Sequence, residues 1–386
     1  MTERDKKDWL AQIKKQNIKN TPYILTDLSY ARERVENLKS LLPEVGIYYA
    51  VKSNTDSAII KEIDSLIEGY DVASQGEVDA LLKIGVNPKR LLYSNPVKIP
   101  SHIKTSYERG VNYFAFDSFD EIKKLAAYAP DATAYIRIQV SDYGSKFPLS
   151  KKFGLPAAHV ADYAATARDM GIKVKGLAFH VGSQSENPKI WANAFSVCGE
   201  HIKRLREIGI NIEFIDMGGG LPADYGQPIP SIRQIARTIN SAIKKHVPKG
   251  IRVISEPGRH ITANSSVLVA SIIAREHRSG ADWLYLDMGV FQGLMEPLET
   301  PSWKYPIFTE KNTRGYKKEF VLTGPTCDAF DTIGSDYLLP ADLDMGDKLY
   351  IAATGAYSTV YGSNFNGFPI PPIHYINQKR HGQATH

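Results

Sequence analysis

Short apolar segments alternate with segments of helical periodicity along the chain up to about His260. Eight apolar segments have the length and bounding turn residues of β-strands: GIYYAVK, GYDVAS, LLYSNP, YFAFDS, AYIRIQV, VKGLAFHVG, IEFIDMGGG and RVISEPGR. The stretches between them, such as QGEVDALLKIG and FDEIKKLAAYA, place apolar residues three and four positions apart, as amphipathic helices do. Alternating strands and helices indicate a parallel sheet, and eight repeats predict an α/β fold with a closed (β/α)₈ barrel.

After His260 the pattern changes to strand-like segments that are separated by turn residues without long helices. These segments are VLVASIIAR, DWLYLDMGVF, KKEFVLTGP and DKLYIAATGAY. They predict a second, mostly β domain, built as a barrel or a sandwich. We place the α/β barrel at residues 25–262 and the β domain at 263–386, and we expect residues 1–24 to pack with the latter. The segment TPYILTDL reads as a strand that fits either domain.

Composition and charge narrow the function classes. The 386 residues carry 47 basic and 42 acidic side chains, a formal net charge of +5 without a long block of like charge. Neither nucleic-acid nor membrane binding is indicated. Cys198 and Cys327 lie far apart without metal-type spacing, so we expect no disulfide framework and no metal site. The charged amino terminus lacks an apolar signal segment, which predicts a cytoplasmic protein.

Reactive side chains collect where the predicted barrel strands end, the edge at which barrel enzymes build their active sites. The residues at these ends are Lys52, Asp71, Arg137, His180, Ser183, Gly218, Gly219, Gly220, Glu256, Gly258 and Arg259. Each has an ordinary structural explanation when taken alone: a lysine reaching solvent, a core histidine, a tight turn or a local ion pair. Their joint occurrence on one rim predicts an active site.

The residue types on this rim indicate the ligand. Ser183, the glycine turn and Arg259 offer hydroxyl, backbone and guanidinium donors of the kind that hold a phosphate. A sheltered lysine such as Lys52 can form a Schiff base, and a carboxylate such as Glu256 can keep a pyridine nitrogen protonated. His180 offers a flat side chain for stacking on a ring. Together these features predict pyridoxal 5'-phosphate.

The motifs also resemble those of a known family. AVKSN, FDS, KKFG, HVGSQ, DMGGGLP, EPGRH, GPTCD, GAY and FNGF occur in the order found in pyridoxal-phosphate decarboxylases of the alanine-racemase fold. This family contains ornithine, lysine, diaminopimelate and biosynthetic arginine decarboxylases, and the resemblance covers nearly the whole chain. It implies an alanine-racemase-type barrel with a carboxyl-terminal β domain, and it favours the bacterial ornithine/lysine branch.

The resemblance also implies roles for individual residues. Lys52 would hold the cofactor and Glu256 would contact its ring nitrogen. The cofactor phosphate would be held by Ser183, Gly219, Gly220, Gly258, Arg259 and Tyr357. Asp71, Glu77 and Arg137 would lie nearby as support, and His180 would stack on the ring.

The same resemblance also implies a role for the β domain. In these enzymes the cysteine and aspartate of a motif like GPTCD reach the active site of the neighbouring subunit. Cys327 would then act as proton donor and Asp328 as a substrate contact, with Tyr357 and Phe365 as further substrate contacts. The implied assembly is a homodimer with two active sites, both shared across the interface.

For the substrate, GPTCD and FNGF favour a short diamino acid, either L-ornithine, which yields putrescine, or L-lysine, which yields cadaverine. Eukaryotic ornithine decarboxylases carry an acidic residue immediately before the glycine of YLDMGVF, where this chain has Met288 and its acid one place earlier at Asp287. A shift of one residue turns a strand side chain to the other face, so the substrate-binding role does not carry over to Asp287. Glu296 is an alternative contact for the distal ammonium.

Three alternatives stay open. The substrate of decarboxylation can be another amino acid: diaminopimelate, arginine, a D-amino acid or one from a specialised pathway. An amino-acid racemase would share the barrel and Lys52, but the acid Glu256 argues against it, since such racemases usually place arginine against the ring nitrogen. An inactive homologue that binds and regulates other proteins would not need Lys52, Glu256 and Cys327 together.

Overall fold

The computed structural model describes residues 3–311 and 315–378. Its α-helices are α1 (Glu3–Gln16), α2 (Leu28–Leu41), α3 (Ser57–Ile63), α4 (Gln75–Lys83), α5 (Pro100–Glu108), α6 (Phe119–Tyr128), α7 (Val160–Asp169), α8 (Lys189–Glu207), α9 (Ile232–His246), α10 (Arg259–Thr262) and α11 (Glu296–Glu299). Its strands are β1 (Tyr23–Asp27), β2 (Val45–Ala50), β3 (Gly69–Val72), β4 (Leu91–Tyr93), β5 (Tyr113–Phe116), β6 (Thr133–Arg137), β7 (Ser145–Phe147), β8 (Lys173–Ala178), β9 (Ser183–Ser185), β10 (Phe214–Asp216), β11 (Arg252–Ser255), β12 (Ser266–Arg278), β13 (Ala281–Leu286), β14 (Ile307–Phe308), β15 (Lys317–Thr323), β16 (Thr332–Pro340), β17 (Lys348–Ala352) and β18 (Ile373–Ile376).

The chain divides into two compact units. An α/β unit comprises residues 34–222 and 229–259, and a β unit comprises residues 1–33, 223–228 and 260–386. Positions 1–2, 312–314 and 379–386 of the β unit lie outside the described residues. The predicted assignment of residues 25–262 and 263–386 to two functional domains stays a prediction.

The α/β unit contains a closed barrel of eight parallel strands in the order β10, β11, β2, β3, β4, β5, β6 and β8. All eight predicted strand segments are present, and the predicted barrel is confirmed. A cluster of side chains from seven of these strands forms part of the core: Tyr48, Leu92, Ala115, Tyr135, Ala178, Phe214 and Ile254. Gly176 makes room within it, because a Cβ there would lie 2.6 Å from Cε1 of Phe214.

Polar residues start several barrel helices directly after the strands. The side chain of Ser74 accepts a hydrogen bond from the backbone N–H of Glu77 at 3.3 Å, and Ser118 caps α6 in the same way. In return, the Glu77 carboxylate accepts from the backbone N–H of Ala73 at 2.6 Å. This arrangement is a variant of the capping box in which Glu77 reaches the residue before the N-cap, and it gives Glu77 a structural role at the start of α4.

The β unit is built on a mixed sheet. Its main path runs β14, β17, β12, β13, β15 and β16, while β1 pairs with β12 and, on its other side, with β18. The segment TPYILTDL therefore contributes its strand to the β unit. Trp9, Leu10 and Ile13 of α1 pack against the buried face of this sheet. A mostly β second unit confirms the predicted fold class.

No helix among the residues of 3–311 and 315–378 combines the length and the apolar character needed to cross a membrane.

Candidate active site

Lys52 lies in a short 3₁₀ turn, Val51–Ser53, that follows β2 without a break. Its ammonium forms an ion pair with the carboxylate of Asp71, which lies on the neighbouring strand β3 opposite Ala50. The Lys52 side chain is 41% exposed, whereas that of Asp71 is 1% exposed. The second oxygen of Asp71 has no hydrogen-bond partner among the described residues. Lys52 is thus held at the barrel mouth by a buried acid while its amine stays accessible.

Glu256, directly after β11, lies in a buried hydrogen-bonded group. Its carboxylate accepts from the hydroxyl of Ser94, which in turn accepts from the hydroxyl of Tyr135 at 2.8 Å. Asp216, the last residue of β10, is buried as well, and its Oδ1 accepts from the backbone N–H of Gly218 at 2.8 Å. Burial raises the pKa of Glu256, and the charge of Asp71 raises it further while Lys52 opposes both.

His180 and Arg137 also lie within the same unit. Burial lowers the pKa of His180 well below its ordinary value, and the positive charges of Arg137 and Lys52 add to this shift. His180 is therefore a neutral ring at physiological pH, with its Nδ1 accepting from the backbone N–H of Gly182 at 3.0 Å. Arg137 lies 5.0 Å from the ring centre of Phe153, and burial lowers its pKa.

The glycine turn after β10 admits no larger residue. Gly218 and Gly220 have φ values of +62° and +91°, which disfavour any side chain. A Cβ on Gly219 would lie 2.7 Å from the carbonyl oxygen of Glu256 and 3.4 Å from Nε2 of His180. The bare backbone of Gly219 thus lies close to the backbone of Glu256 and to the ring of His180, the two residues expected to contact a cofactor ring.

Ser183 and Arg259 meet beside this turn. Nε of Arg259 donates to Oγ of Ser183 at 3.1 Å, and the guanidinium lies 5.0 Å from the ring centre of Phe147. Ser183 belongs to β9, which forms a two-stranded ribbon with β7 that the sequence did not predict. Both strands, SKF and SQS, are three residues long and mostly polar, so no apolar run marks them in the sequence.

These residues fit pyridoxal phosphate in kind and in placement. Lys52 has an accessible amine, Glu256 is a buried acid, and Gly219 is a backbone position that a Cβ would fill. Ser183 and Arg259 provide a hydroxyl and a fixed cation for a phosphate. Gly258 belongs to the same tight backbone, since a Cβ there would lie 2.7 Å from Cβ of Ser53.

The remaining predicted residues lie in the β unit. Cys327 is exposed and free, and its backbone N–H and its thiol both lie within hydrogen-bond distance of Oδ1 of Asn366, at 3.1 and 3.2 Å. Asp328 accepts from the backbone N–H of Phe330 at 2.8 Å. Tyr357 is half-buried with φ of +54°, and Phe365 packs on Phe291 with ring centres 4.7 Å apart.

The loop that carries Cys327 has a second anchor, which sequence reasoning missed. The buried Asp331 accepts from the backbone N–H and the hydroxyl of Thr326, at 3.0 and 2.7 Å, and from the backbone N–H of Val290 at 2.7 Å. Sequence offered one signal, an acid four residues beyond the cysteine in GPTCDAFD. Asp331 and Asn366 hold this loop from two sides.

Asp287 and Glu296 are the two acids that the sequence suggests near the distal end of the substrate. Asp287 accepts from the hydroxyl of Thr21 and, at 3.0 Å, from the backbone N–H of Ser271, so its carboxylate is used within the β unit. Glu296 is 2% exposed, and the hydroxyl of Tyr305 lies 3.5 Å from its Oε2. The roles assigned to individual residues, including Glu296, stay predictions.

Comparison with known proteins identifies the family. Residues 28–263 match the family model described as pyridoxal-dependent decarboxylase, pyridoxal binding domain. The lysine/ornithine decarboxylase of Selenomonas ruminantium is 31% identical over 353 residues, which cover 91% of this chain and 88% of that protein.

Solved structures show the same likeness over the whole chain. The arginine decarboxylase of Paramecium bursaria Chlorella virus has a TM-score of 0.89 and 27% identity, with 96% of this chain and 100% of that chain covered. The lysine/ornithine decarboxylase of Vibrio vulnificus, complexed with cadaverine, has a TM-score of 0.87 and 31% identity, with 96% and 99% covered. The resemblance inferred from the motifs is confirmed: the chain belongs to the pyridoxal-dependent decarboxylases.

Proposed function

We propose that this protein removes the carboxyl group of a basic amino acid, L-ornithine or L-lysine, with pyridoxal 5'-phosphate bound at the barrel mouth. One observation carries the proposal: the accessible amine of Lys52 and the buried acid Glu256 occupy strand ends of one closed barrel, together with the Ser183 and Arg259 pair. When bound, pyridoxal phosphate supplies an electron-accepting ring for the electron pair that carbon dioxide leaves behind.

Residues of this chain would hold and orient the cofactor for this chemistry. Lys52 would hold the cofactor through its amine, which Asp71 orients by their ion pair. Glu256 would contact the ring nitrogen, and the neutral ring of His180 would offer a flat surface without a competing charge. Ser183, Gly219, Gly220, Gly258, Arg259 and Tyr357 are the proposed phosphate ligands.

The proton that replaces carbon dioxide on the α-carbon comes, in this proposal, from the thiol of Cys327 in a partner subunit. The contact of this thiol with Asn366 sets its direction, and its exposure suits delivery to another subunit. The functional unit is then a homodimer with shared sites.

A diamino substrate is supported by the cadaverine in the Vibrio vulnificus relative, since cadaverine is the product of lysine decarboxylation. Asp328 and Glu296 are the proposed contacts for the distal ammonium, with Tyr357 and Phe365 nearby. The likeness to the viral arginine decarboxylase favours arginine as the second candidate substrate.

The test is a visible absorption spectrum of the purified protein, followed by carbon dioxide release from L- and D-ornithine, lysine, arginine and diaminopimelate. We expect a cofactor band that Lys52→Ala abolishes, with release from L-ornithine or L-lysine. Lys61→Ala, which alters an exposed lysine of α3, is the matched control and should change neither result. Release from arginine alone would select the second candidate, and absence of a band with added pyridoxal phosphate would contradict the function itself.

A further inference from the structure

The loop after β4 brings a hydroxyl group to the buried acid of the barrel. Ser94 follows β4 directly, and its backbone N–H donates to the carbonyl oxygen of Val72 on β3 at 3.1 Å. The side chain of Ser94 donates to Oε1 of Glu256, and the phenol of Tyr135 donates to Oγ of Ser94 at 2.8 Å. All three side chains of this series are buried. Two successive hydrogen bonds therefore end on the carboxyl group of Glu256.

The protons of these two hydrogen bonds point toward Glu256. Burial raises the pKa of Tyr135 well above its ordinary value, so the phenol keeps its proton and donates it in the hydrogen bond to Ser94. A serine hydroxyl has one proton and two lone pairs, so Ser94 accepts from Tyr135 and uses its own proton for the carboxylate. Burial and the charge of Asp71 raise the pKa of Glu256, whereas the hydrogen bond from Ser94 lowers it. Ser94 therefore favours the ionised form of Glu256.

A buried lysine closes the same loop. The side chain of Lys98 is fully buried, and its ammonium donates to three backbone carbonyl oxygens. Those of Asn95 and Pro96, at 3.1 and 3.3 Å, come from the two residues that follow Ser94. The third, at 2.5 Å, belongs to Ala115 on the neighbouring strand β5. Lys98 thus ties the loop that carries Ser94 to the barrel.

Helix α6 in turn holds this lysine. Oε2 of Glu121 forms an ion pair with the Lys98 ammonium at 3.0 Å, and Oε1 accepts from the backbone N–H of Lys98 at 3.1 Å. Lys124 donates to the carbonyl oxygen of Lys98 at 2.6 Å. Burial lowers the pKa of Lys98 to about 8 while Glu121 opposes this shift, so the amine is charged at neutral pH. Because a buried charge is costly unless it is paired, these contacts hold the lysine and the loop in one geometry.

We propose that Ser94 is a positioning residue for Glu256, and that the ammonium of Lys98 holds the loop from which Ser94 acts. The hydroxyl of Ser94 keeps the Glu256 carboxylate oriented and ionised toward the cofactor ring nitrogen. Only this consequence for the ring rests on the proposed function, because the hydrogen bonds and the ion pair lie within the α/β unit itself.

Urea unfolding of the full chain, freed of cofactor, tests the hydrogen bond to Glu256. Because this bond lowers the pKa of Glu256, its contribution is present at high pH and is lost as the acid takes up a proton. We therefore expect Ser94→Ala to lower the urea midpoint more as the pH rises from 5 to 8. In a Glu256→Gln background the loss should be the same at every pH. A loss in the Ser94→Ala single variant that does not change with pH would overturn the proposal.

Ser106→Ala is the matched control for this measurement. Ser106 is a buried serine of α5, and its hydroxyl has no hydrogen-bond partner among the residues that the structure describes. Its replacement should change the urea midpoint by the same amount at every pH. Ser94→Thr keeps a hydroxyl group and should restore the wild-type pH dependence.

Cofactor affinity tests the consequence for the ring. Ser94→Ala removes a hydrogen bond to a charged group, so we expect the dissociation constant of pyridoxal phosphate to rise by about 10-fold. Ser94→Thr should stay within about threefold of wild type, because the donor is kept. A threonine variant as weak as the alanine variant would overturn the proposal, since packing and not the hydroxyl would then explain the loss.

A double-variant cycle tests whether Lys98 acts through Ser94. Lys98→Met keeps a long unbranched side chain without the ammonium, and we expect it to weaken pyridoxal phosphate binding about as much as Ser94→Ala. Added to Ser94→Ala, it should cause less than about a twofold further change, because the hydroxyl that the loop holds is already absent. Full additivity would overturn the role of Lys98. Lys104→Met, which alters an exposed lysine of α5, is the control and should change nothing.

Circular dichroism monitors the folding of each variant. If Lys98→Met does not fold, Glu121→Gln takes its place in the cycle, since it removes the charge of the ion pair at similar size. Wild-type protein that binds no pyridoxal phosphate would refute the proposed function and leave the urea test of Ser94 intact. The cycle with Lys98 is then measured through the pH dependence of the urea midpoint.

Discussion

The strand ends of the barrel and the loop that carries Cys327 place reactive groups in different ways. At the barrel, Glu256 and Asp216 are buried and His180 is half-buried, and desolvation is the first cause of each pKa shift. The loop instead carries an exposed thiol. Both this thiol and the backbone N–H of Cys327 lie within hydrogen-bond distance of Oδ1 of Asn366. The barrel sets the charge of its groups through desolvation, whereas the loop controls mainly their position.

The largest effect should follow from removing the charge of Glu256, the buried acid of the barrel. Glu256→Gln keeps the shape of the side chain but not the acid, so we expect kcat to fall by about 100- to 1,000-fold. Steady-state carbon dioxide release measures the fall, and Glu36→Gln on the exposed side of α2 is the control. Activity within tenfold of wild type would mean that Glu256 does not face the ring.

Thiol labelling compares the two environments within one molecule. Cys327 is exposed, whereas Cys198 is fully buried on α8 and burial raises the pKa of its thiol. We expect iodoacetamide to modify Cys327 at least about 100-fold faster than Cys198, because the thiolate is the reactive form and must be accessible. Mass spectrometry of digested protein gives both rates. Comparable rates would contradict the burial of Cys198.

Complementation tests whether the exposed loop serves a second subunit. Lys52→Ala and Cys327→Ala chains are each expected to be nearly inactive. If two chains share each site, mixing and reassembling them restores one intact site per heterodimer, or about one quarter of wild-type activity after random pairing. Two Lys52→Ala preparations mixed together are the control. No recovery in confirmed heterodimers would place both residues in one chain's site.

A substitution in the glycine turn after β10 tests how closely the barrel backbone is packed. Gly219→Ala would place a Cβ 2.7 Å from the carbonyl oxygen of Glu256, so we expect a loss of about 1–3 kcal/mol in unfolding free energy and weaker cofactor binding. Gly76→Ala is the matched control, because the nearest atom to its Cβ is 3.6 Å away within a helix. Urea unfolding should show the control unchanged or slightly stabilised.

The smallest effect concerns acid stability. Folding lowers the pKa of His180 from its ordinary value of about 6.5, so below that pH the unfolded chain binds a proton that the folded chain does not. His180 therefore costs stability as the pH falls, up to about 1.4 kcal/mol per pH unit below 6.5 until its folded pKa is reached. His180→Gln should show a shallower decline in urea unfolding between pH 7.5 and 5.5. An identical decline would mean that His180 is charged when folded.

Much of the fold was predictable because its signals are local. Eight apolar segments separated by helical periodicity indicate a parallel barrel, and each predicted segment is a barrel strand. Lys52, Asp71 and Glu256 were found for the same reason, since parallel strands bring their carboxyl ends to one edge. The ribbon of β7 and β9 was missed, because its strands SKF and SQS are mostly polar and lie in no apolar run.

By itself, the sequence determined the barrel, the family and the residue types at the strand ends. Only the tertiary structure decided which partners those residues have. Ser94 and Glu256 are 162 positions apart, and Cys327 and Asn366 are 39 apart, so no local pattern pairs them. The burial of Asp216 and Glu256 depends on barrel closure, which pairs β10 with β11. Periodicity records which face of a segment is buried, but not which other segment is packed against it.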